Sequence, residues 1–197
     1  MIKRLFDILF SLVVLIIFLP FGVVISLLIL STSRGGVFYR QVRVGKEGKL
    51  FKLFKFRTMR TNADKTGKLT IGMKDPRITT IGYFLRKYKI DEFPQFINVL
   101  LGDMSVVGPR PEVKEYTNLY TENQRKVLAV KPGITDYASL EYFDENRLLG
   151  ESENPKKTYI EEIMPAKLEL NQKYISKPTI RHDLKIIWLT VKKVVGG

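Results

Sequence analysis

Asp91 and Glu92 stand side by side, with Arg86, Lys87 and Lys89 just before them and Arg110 soon after. Carboxylates among cations suit chemistry on a phosphorylated substrate: a carboxylate attacks phosphorus or holds a divalent metal, and the cations offset the substrate's charge. Phe93, Phe96, Ile97 and Leu100 recur at helical spacing, Pro94 suits a first turn and Gly102 a C-terminal cap, so Asp91 is expected at the N-cap of a short helix. There, free N–H groups and the positive end of the helix dipole keep a carboxylate ionised and make the place receptive to phosphate. An Asp before a helix is ordinarily only a cap. The adjoining Glu92 and the run Gly108-Pro-Arg-Pro111 favour a site, because two X-Pro bonds around Arg110 hold its backbone stiff and aim its guanidinium.

Other elements must position these groups. From Ile8 to Ser33 there is no charge over 26 positions rich in Leu, Ile, Val and Phe. As one straight helix this run is about 39 Å long, more than a bilayer core of about 30 Å. Its length, Asp7 at its entrance and the lack of a small-residue cleavage site argue against a signal peptide. Pro20 falls near its middle, where it removes one N–H and crowds the carbonyl of Ile16, so a kink or break is expected there. Lys3 and Arg4 lie on one flank and Arg34, Arg40, Arg43, Lys46 and Lys49 on the other. A spanning helix would send the first pair outward, whereas a helix that enters and returns keeps both flanks on the cytoplasmic side.

Residues 1–34 are thus read as a membrane element and 35–197 as one modest globular domain. Alternation from Lys49 to Arg57 predicts a strand, half of a short hairpin after Gly45-Lys-Glu-Gly48. Thr61 to Pro76 is polar and reads as a loop. Thr79 or Thr80 caps a helix that carries Arg86 towards the carboxylates, and Thr121-Glu-Asn-Gln is a capping box. Gly150 to Lys157 reads as a linker. Helical patterns follow over Tyr159 to Tyr174, interrupted by Pro165, and over Thr179 to Val195. In the last, Ile180, Leu184, Ile187, Trp188, Val191 and Val195 form one face, which suits either a core or an anionic membrane surface.

Composition narrows the chemistry. The net charge of +13 points to an anionic partner: nucleic acid, acidic lipid or a phosphorylated substrate. The absence of cysteine excludes disulfides and thiol nucleophiles, and the single histidine, His182, excludes multi-histidine metal sites. No Gly-x-x-x-x-Gly-Lys-Ser/Thr or Gly-x-Gly-x-x-Gly occurs, so nucleotide recognition must be built otherwise. A basic membrane-anchored protein that binds nucleic acid or acidic lipid without chemistry would account for the charge and for the aromatic residues among Val37 to Thr58, but not for Asp91-Glu92 or Gly-Pro-Arg-Pro.

Lys89-Ile-Asp-Glu-Phe-Pro-Gln-Phe-Ile-Asn-Val-Leu100, Gly102-Asp-Met-Ser105 and Gly108-Pro-Arg-Pro111 together closely resemble the signature of the bacterial sugar transferases, the monotopic polyprenyl-phosphate phosphoglycosyl transferases. The resemblance runs from Lys3 to about Thr135, and at this length the chain looks like a small member without appended modules. It implies an α+β fold: a mostly helical membrane-associated domain with a short β-hairpin and an N-terminal re-entrant membrane helix broken at Pro20. The family pattern at the break looks like Ser-Pro, where this chain has Leu19-Pro20.

The implied reaction moves a phosphosugar from a UDP-sugar donor to polyprenol (undecaprenyl) phosphate in the bacterial cytoplasmic membrane and releases UMP. It is an early step of glycan or exopolysaccharide assembly, with membrane lipids and no nucleic acid as partners. By position, Asp91 is the nucleophile that forms an aspartyl phosphosugar and the residue against which Mg2+ sits. Glu92 assists, and Arg86, Arg110, Lys55 and Arg57 bind phosphate. Pro132-Gly-Ile-Thr135 fits the family as well. The stretch Asp136 to Arg147 departs from a pattern that looks like Gly-Leu-Ala-Gln then Gly-Arg, and is expected to touch the nucleotide or sugar, with Arg147 the candidate for the missing arginine.

Overall fold

The computed structural model describes residues 2–61, 63 and 75–196. Most of the polar stretch from Thr61 to Pro76, read as a loop, lies outside them. Helix α1 (Ile2–Thr32) runs for 31 residues with Pro20 inside it. Helical backbone thus runs on through this proline, so the feature expected there is a bend within one helix and not a gap between two. The proline forfeits one bond of the ladder, and contacts with the body hold the turns on either side.

Those contacts follow one stripe of α1. Asp7, Ser11 and Ile29 are buried, and the Phe10 and Phe18 rings lie against Phe96 and Phe93 at centroid distances of 6.2 and 4.1 Å. At its start, Lys3 pairs with buried Asp183 at 2.6 Å and Arg4 donates to the carbonyls of Val99 and Leu100. Asp7 accepts from the Ser105 hydroxyl and the Val106 N–H. At its far end the Arg57 guanidinium donates to the carbonyls of Ser33 and Arg34. Away from this stripe Leu9, Val13, Ile16, Ile17, Phe21 and Val24 are bare.

Strands β1 (Phe38–Val44) and β2 (Leu50–Phe56) form the predicted antiparallel hairpin, with Val44 opposite Leu50 and Phe38 opposite Phe56. Helix α2 (Thr80–Lys87) begins at Thr79, whose hydroxyl accepts from the Gly82 N–H. A 3-10 turn (Ile90–Glu92) leads to α3 (Gln95–Leu101), which Gly102 ends at φ 94°, its N–H bonded to the Asn98 and Val99 carbonyls. Asp91 is thus not the N-cap expected of it: Pro94 holds that place. Lys89 adopts a left-handed backbone (φ 55°) to turn the chain out of α2, so helical bonding restarts only after the 3-10 turn. The Asn98 side chain then donates to the Lys52 carbonyl and accepts from the Phe54 N–H, both at 2.9 Å, and fixes α3 against the hairpin.

Strands β3 (Ser105–Val107) and β4 (Gly133–Thr135) pair in parallel, Ser105 opposite Gly133. The Gly108-Pro-Arg-Pro run leaves β3 with its backbone still bonded to the β4 strip, Gly108 N–H to Thr135 O and Gly133 N–H to Pro109 O. The approach is close enough that a Cβ on Gly133 would stand 2.1 Å from the Gly108 nitrogen. Glycine is therefore required where the arginine loop rests on β4.

The remaining chain is helical: α4 (Lys114–Thr117), a 3-10 segment (Gln124–Ala129), α5 (Tyr137–Glu141), α6 (Glu145–Glu151), α7 (Pro155–Thr158), a π turn (Tyr159–Ile163), α8 (Met164–Ser176) and α9 (Ile180–Gly196). The capping box forms as read, Thr121 and Gln124 bonding each other's N–H reciprocally. Two expectations are corrected. The 150–157 linker carries the end of α6 and most of α7, and Pro165 does not interrupt its helix, because the π turn ahead of it widens the spiral where the ring would meet the Glu161 carbonyl. Helix α9 buries Asp183 and Ile186, and Ile187 of the apolar face packs against the core, while Leu184, Trp188, Val191 and Val195 stay exposed, so most of that face does not cover the core. The core lies instead around Leu53, Val99, Met104 and Ile186, around Val113, Tyr159 and Leu168, and around Ile29, Phe56 and Leu85 against α1.

Candidate functional site

Three pieces of chain converge on one cavity of about 950 Å³. Strand β2 brings Lys55, the turn after α2 brings Asp91 and Glu92, and the loop after β3 brings Arg110. The Lys55 ammonium stands 2.9 Å from Glu92 Oε1. The Arg110 guanidinium grips both Glu92 oxygens as a fork, Nη1 to Oε2 at 3.0 Å and Nη2 to Oε1. Arg110 is itself aimed from behind: its N–H donates to Asp136 Oδ2 at 3.0 Å, and the other Asp136 oxygen caps α5 through the Ser139 N–H.

The two carboxylates live in different electrostatic surroundings. Burial works to raise the Glu92 carboxyl, but Arg110 and Lys55 outweigh it and hold Glu92 well below the usual carboxylate range. For Asp91 burial prevails and, with the Glu92 charge, raises its carboxyl above the ordinary value despite Lys55, Arg86 and Lys89. The sequence-based expectation of a dipole-stabilised cap is thereby reversed for Asp91. Glu92 is a fixed anion that organises two cations; Asp91, 5% exposed and lining the cavity, has no such clamp among the described residues. Burial lowers Lys55 although both carboxylates pull it up. The Glu92 charge raises Arg110 far above its ordinary value, and burial lowers Arg86, whose strongest supporting charge is Asp91.

Of the residues singled out in the sequence, Asp91, Glu92, Lys55, Arg86 and Arg110 line this cavity together. Arg86 is steadied by its Nε bond to Thr58 Oγ1 at 3.0 Å. Arg57 touches the same cavity, yet its guanidinium is committed to the end of α1, with Ser33 Oγ accepting a third bond. In this arrangement it serves as a strut from the end of β2 to α1. Pro20 is remote from the cavity lining. Arg147 is exposed and pairs with Glu151 on its own helix. The Asp136–Arg147 stretch does reach the site, through Tyr142, Phe143, Glu145 and Asn146 in the cavity wall.

Sequence reasoning missed the outer wall. Lys167 of α8 meets Glu145 at 2.6 Å, and Tyr159 donates to Glu112 at 2.7 Å. These partners are far apart in the chain and no local pattern marks them. Among the described residues no group of three or more His, Cys, Asp or Glu converges as a metal cage.

The family model described as bacterial sugar transferase matches residues 1–197. The chain belongs to this family. It is 41% identical over 196 residues to the UDP-glucose:undecaprenyl-phosphate glucose-1-phosphate transferase of Klebsiella pneumoniae, covering 97% of this chain and 39% of that protein. Over 119 residues it is 50% identical to a putative undecaprenyl-phosphate N-acetylgalactosaminyl 1-phosphate transferase of Bacillus subtilis, covering 60% of this chain and 66% of the relative. It is also 38% identical over 197 residues to the exopolysaccharide production protein PSS of Rhizobium leguminosarum, covering 96% and 92%. The chain thus spans about two fifths of the Klebsiella relative and nearly all of the Rhizobium one. In this sugar transferase the adjoining carboxylates, the Gly-Pro-Arg-Pro loop and Lys55 lie in one cavity.

Proposed function

We propose that this chain is a phosphoglycosyl transferase that moves a phosphosugar from a UDP-sugar to a membrane polyprenyl phosphate, releasing UMP. The observation that carries the reading is the division of labour between the carboxylates. Glu92 holds Lys55 and Arg110 in place, and Asp91 faces the cavity without a salt-bridge partner among the described residues. The names of the Klebsiella and Bacillus relatives support both the donor and the acceptor class.

In the first displacement an Asp91 carboxylate oxygen bonds to the β-phosphorus, the bond from that phosphorus to the UMP oxygen breaks, and UMP leaves with the electron pair. In the second, a phosphate oxygen of the lipid bonds to the same phosphorus and Asp91 is released. Lys55, Arg86 and Arg110 offset the charge that gathers when these anions meet. A carboxyl raised by burial suits the nucleophile, since the more basic carboxylate attacks more readily once ionised. The residues fit a magnesium ion carried in by the diphosphate: Asp91 offers one carboxylate, and magnesium commonly takes one or two with phosphate oxygens and waters. Such an ion would supply Lewis-acid neutralisation of the phosphates.

Helix α1 serves this reaction as a membrane anchor whose two ends lie on one side. Here Lys3 and Arg4 bond to the same body as Ser33 and Arg34, and the bare apolar remainder of α1 suits lipid. We therefore place α1 as a re-entrant anchor, bent at Pro20, in the bacterial cytoplasmic membrane with the body on the cytoplasmic face.

The test is UMP release from a panel of UDP-sugars by detergent-purified protein with magnesium, with and without undecaprenyl phosphate, beside Asp91→Asn. Lipid-dependent release from one sugar, lost in the variant, is expected. Full activity of Asp91→Asn would remove the nucleophile, and no release from any donor would count against the reaction.

A further inference from the structure

The cavity extends beyond the carboxylates to α9. Its lining includes Ile187, Val191, Val194 and Val195, and on the opposite side Phe10 and Val14 of α1. Val191 and Val195 are also part of the bare apolar face of α9, so the cavity and that face are continuous. Phe143 lines the same cavity, with an ammonium group set over its ring from each of two elements. Lys89 Nζ is 5.1 Å from the ring centroid and Lys193 Nζ is 5.6 Å from it. Lys193 is further tethered to the Leu140 carbonyl at 3.0 Å. Neither lysine has a salt-bridge partner among the described residues, although Lys89 lies close enough for its charge to act on both Asp91 and Glu92. Lys89 is also one of two non-glycine residues with positive φ among the described residues, at 55°, in the turn that delivers Asp91. Backbone strain held next to reacting groups is a mark of functional positioning.

Resting on the phosphoglycosyl transferase reading, we propose that Lys89 and Lys193, gathered on Phe143, receive the phosphate of the lipid acceptor while its prenyl chain lies along α9. The chemistry recognised is a phosphate monoester on a long apolar tail. Two cations without a salt-bridge partner among the described residues answer its headgroup and the valine face of α9 answers its tail, and the same cavity holds both that face and Asp91. The donor's phosphates meet a different set, Lys55, Arg86 and Arg110, so the two substrates approach the phosphorus from separate cation groups.

The experiment measures initial rates in mixed micelles with undecaprenyl phosphate and the accepted UDP-sugar varied independently, for wild type, Lys193→Gln, Lys193→Arg and Lys89→Asn, asparagine being chosen because it tolerates the left-handed backbone. The expected result is a rise of about tenfold in the KM for the lipid in Lys193→Gln and Lys89→Asn, the order of one lost charge-assisted contact. The KM for the UDP-sugar should move far less, and Lys193→Arg should recover most of the loss. A lipid KM unchanged in both neutral variants, or equal rises for lipid and donor, would overturn the proposal. Exchange of labelled UMP into UDP-sugar by wild-type protein without lipid separates the two levels of inference: its absence refutes the aspartyl intermediate itself, and its presence with unaltered lipid KM values refutes only the lysine pair.

Discussion

Arg110 and Glu92 form a two-bond fork in the wall of the cavity, with Lys55 closing on the same carboxylate from the hairpin. Three elements distant in sequence, β2, the turn after α2 and the loop after β3, are therefore locked by one anion. Breaking the fork should cost stability as well as activity. Arg110→Ala leaves Glu92 with Lys55 alone, and because Arg110 is about a third exposed the loss should be about 2 kcal/mol, less than for a fully buried pair. Thermal unfolding in detergent checks this, with a loss of UMP release of at least about a hundredfold expected alongside. Arg110→Lys should not restore the rate, since an ammonium cannot reproduce the fork.

The pH dependence should separate the two carboxylates. The Asp91 carboxyl lies above the ordinary value of about 3.9, and its ionised form is the nucleophile, so UMP release should fall on the acid side through that raised value. Lys55 is the largest influence pulling Asp91 down. Lys55→Met should therefore move the acid limb to higher pH. A limb that stays in place or moves to lower pH would contradict the assignment. For stability the signs are opposite. The contribution of Asp91 is present below its ordinary value and is lost as pH rises through the raised one. That of Glu92 is present above its ordinary value and is lost as pH falls through its depressed one.

Asp136 places Arg110 without touching it through charge alone. It is fully buried, and its two oxygens serve the Arg110 and Ser139 N–H groups. Asp136→Ala strands the Arg110 N–H and uncaps α5, which should cost about 1–3 kcal/mol. The turnover number should fall more than the donor KM rises, since a misaimed guanidinium is felt most in the transition state. Asp136→Asn keeps a carbonyl acceptor and should recover part of the rate.

Local signals in the sequence carried much of this architecture. Gly102 as a C-cap, Thr79 as an N-cap, the Thr121–Gln124 box and the hairpin each rest on residues a few positions apart, whose physics acts whatever the rest of the chain does. The pairing of β3 with β4 was not legible, because three-residue strands are too short for any alternation to register. The strut made by Arg57 was hidden for a related reason. The family resemblance implies a phosphate ligand, and only the tertiary contact with the end of α1 shows the guanidinium bonded to carbonyls 23 and 24 positions earlier. Asp91 as a cap failed because nothing local announces that Lys89 takes up a left-handed backbone.

Arg57 and Gly35 make a coupled pair. Gly35 has φ 121°, and a Cβ there would stand 1.9 Å from Arg57 Nη1. Gly35→Ala should thus both strain the backbone and expel the guanidinium from the α1 terminus. Arg57→Ala removes the same strut. The two substitutions should each destabilise the protein by about 1–3 kcal/mol and be clearly non-additive in the double variant. Full additivity would show that Gly35 matters only for its own backbone.

The geometry of α1 makes the last prediction. Its start is tied to the body by Lys3–Asp183 and Arg4–Val99, and its end by Arg57–Ser33. Asp7, buried and bonded to Ser105 and Val106, adds a third tie that could not persist if the start of the helix lay across a bilayer from the body. The chain has no cysteine of its own, so Ile2→Cys and Gly36→Cys each introduce one reporter thiol. In sealed vesicles with the cytoplasmic face inward, a membrane-impermeant maleimide should label neither until the vesicles are opened. Labelling of Ile2→Cys from outside, with Gly36→Cys protected, would mean that α1 crosses the membrane and that its contacts with the body do not exist there.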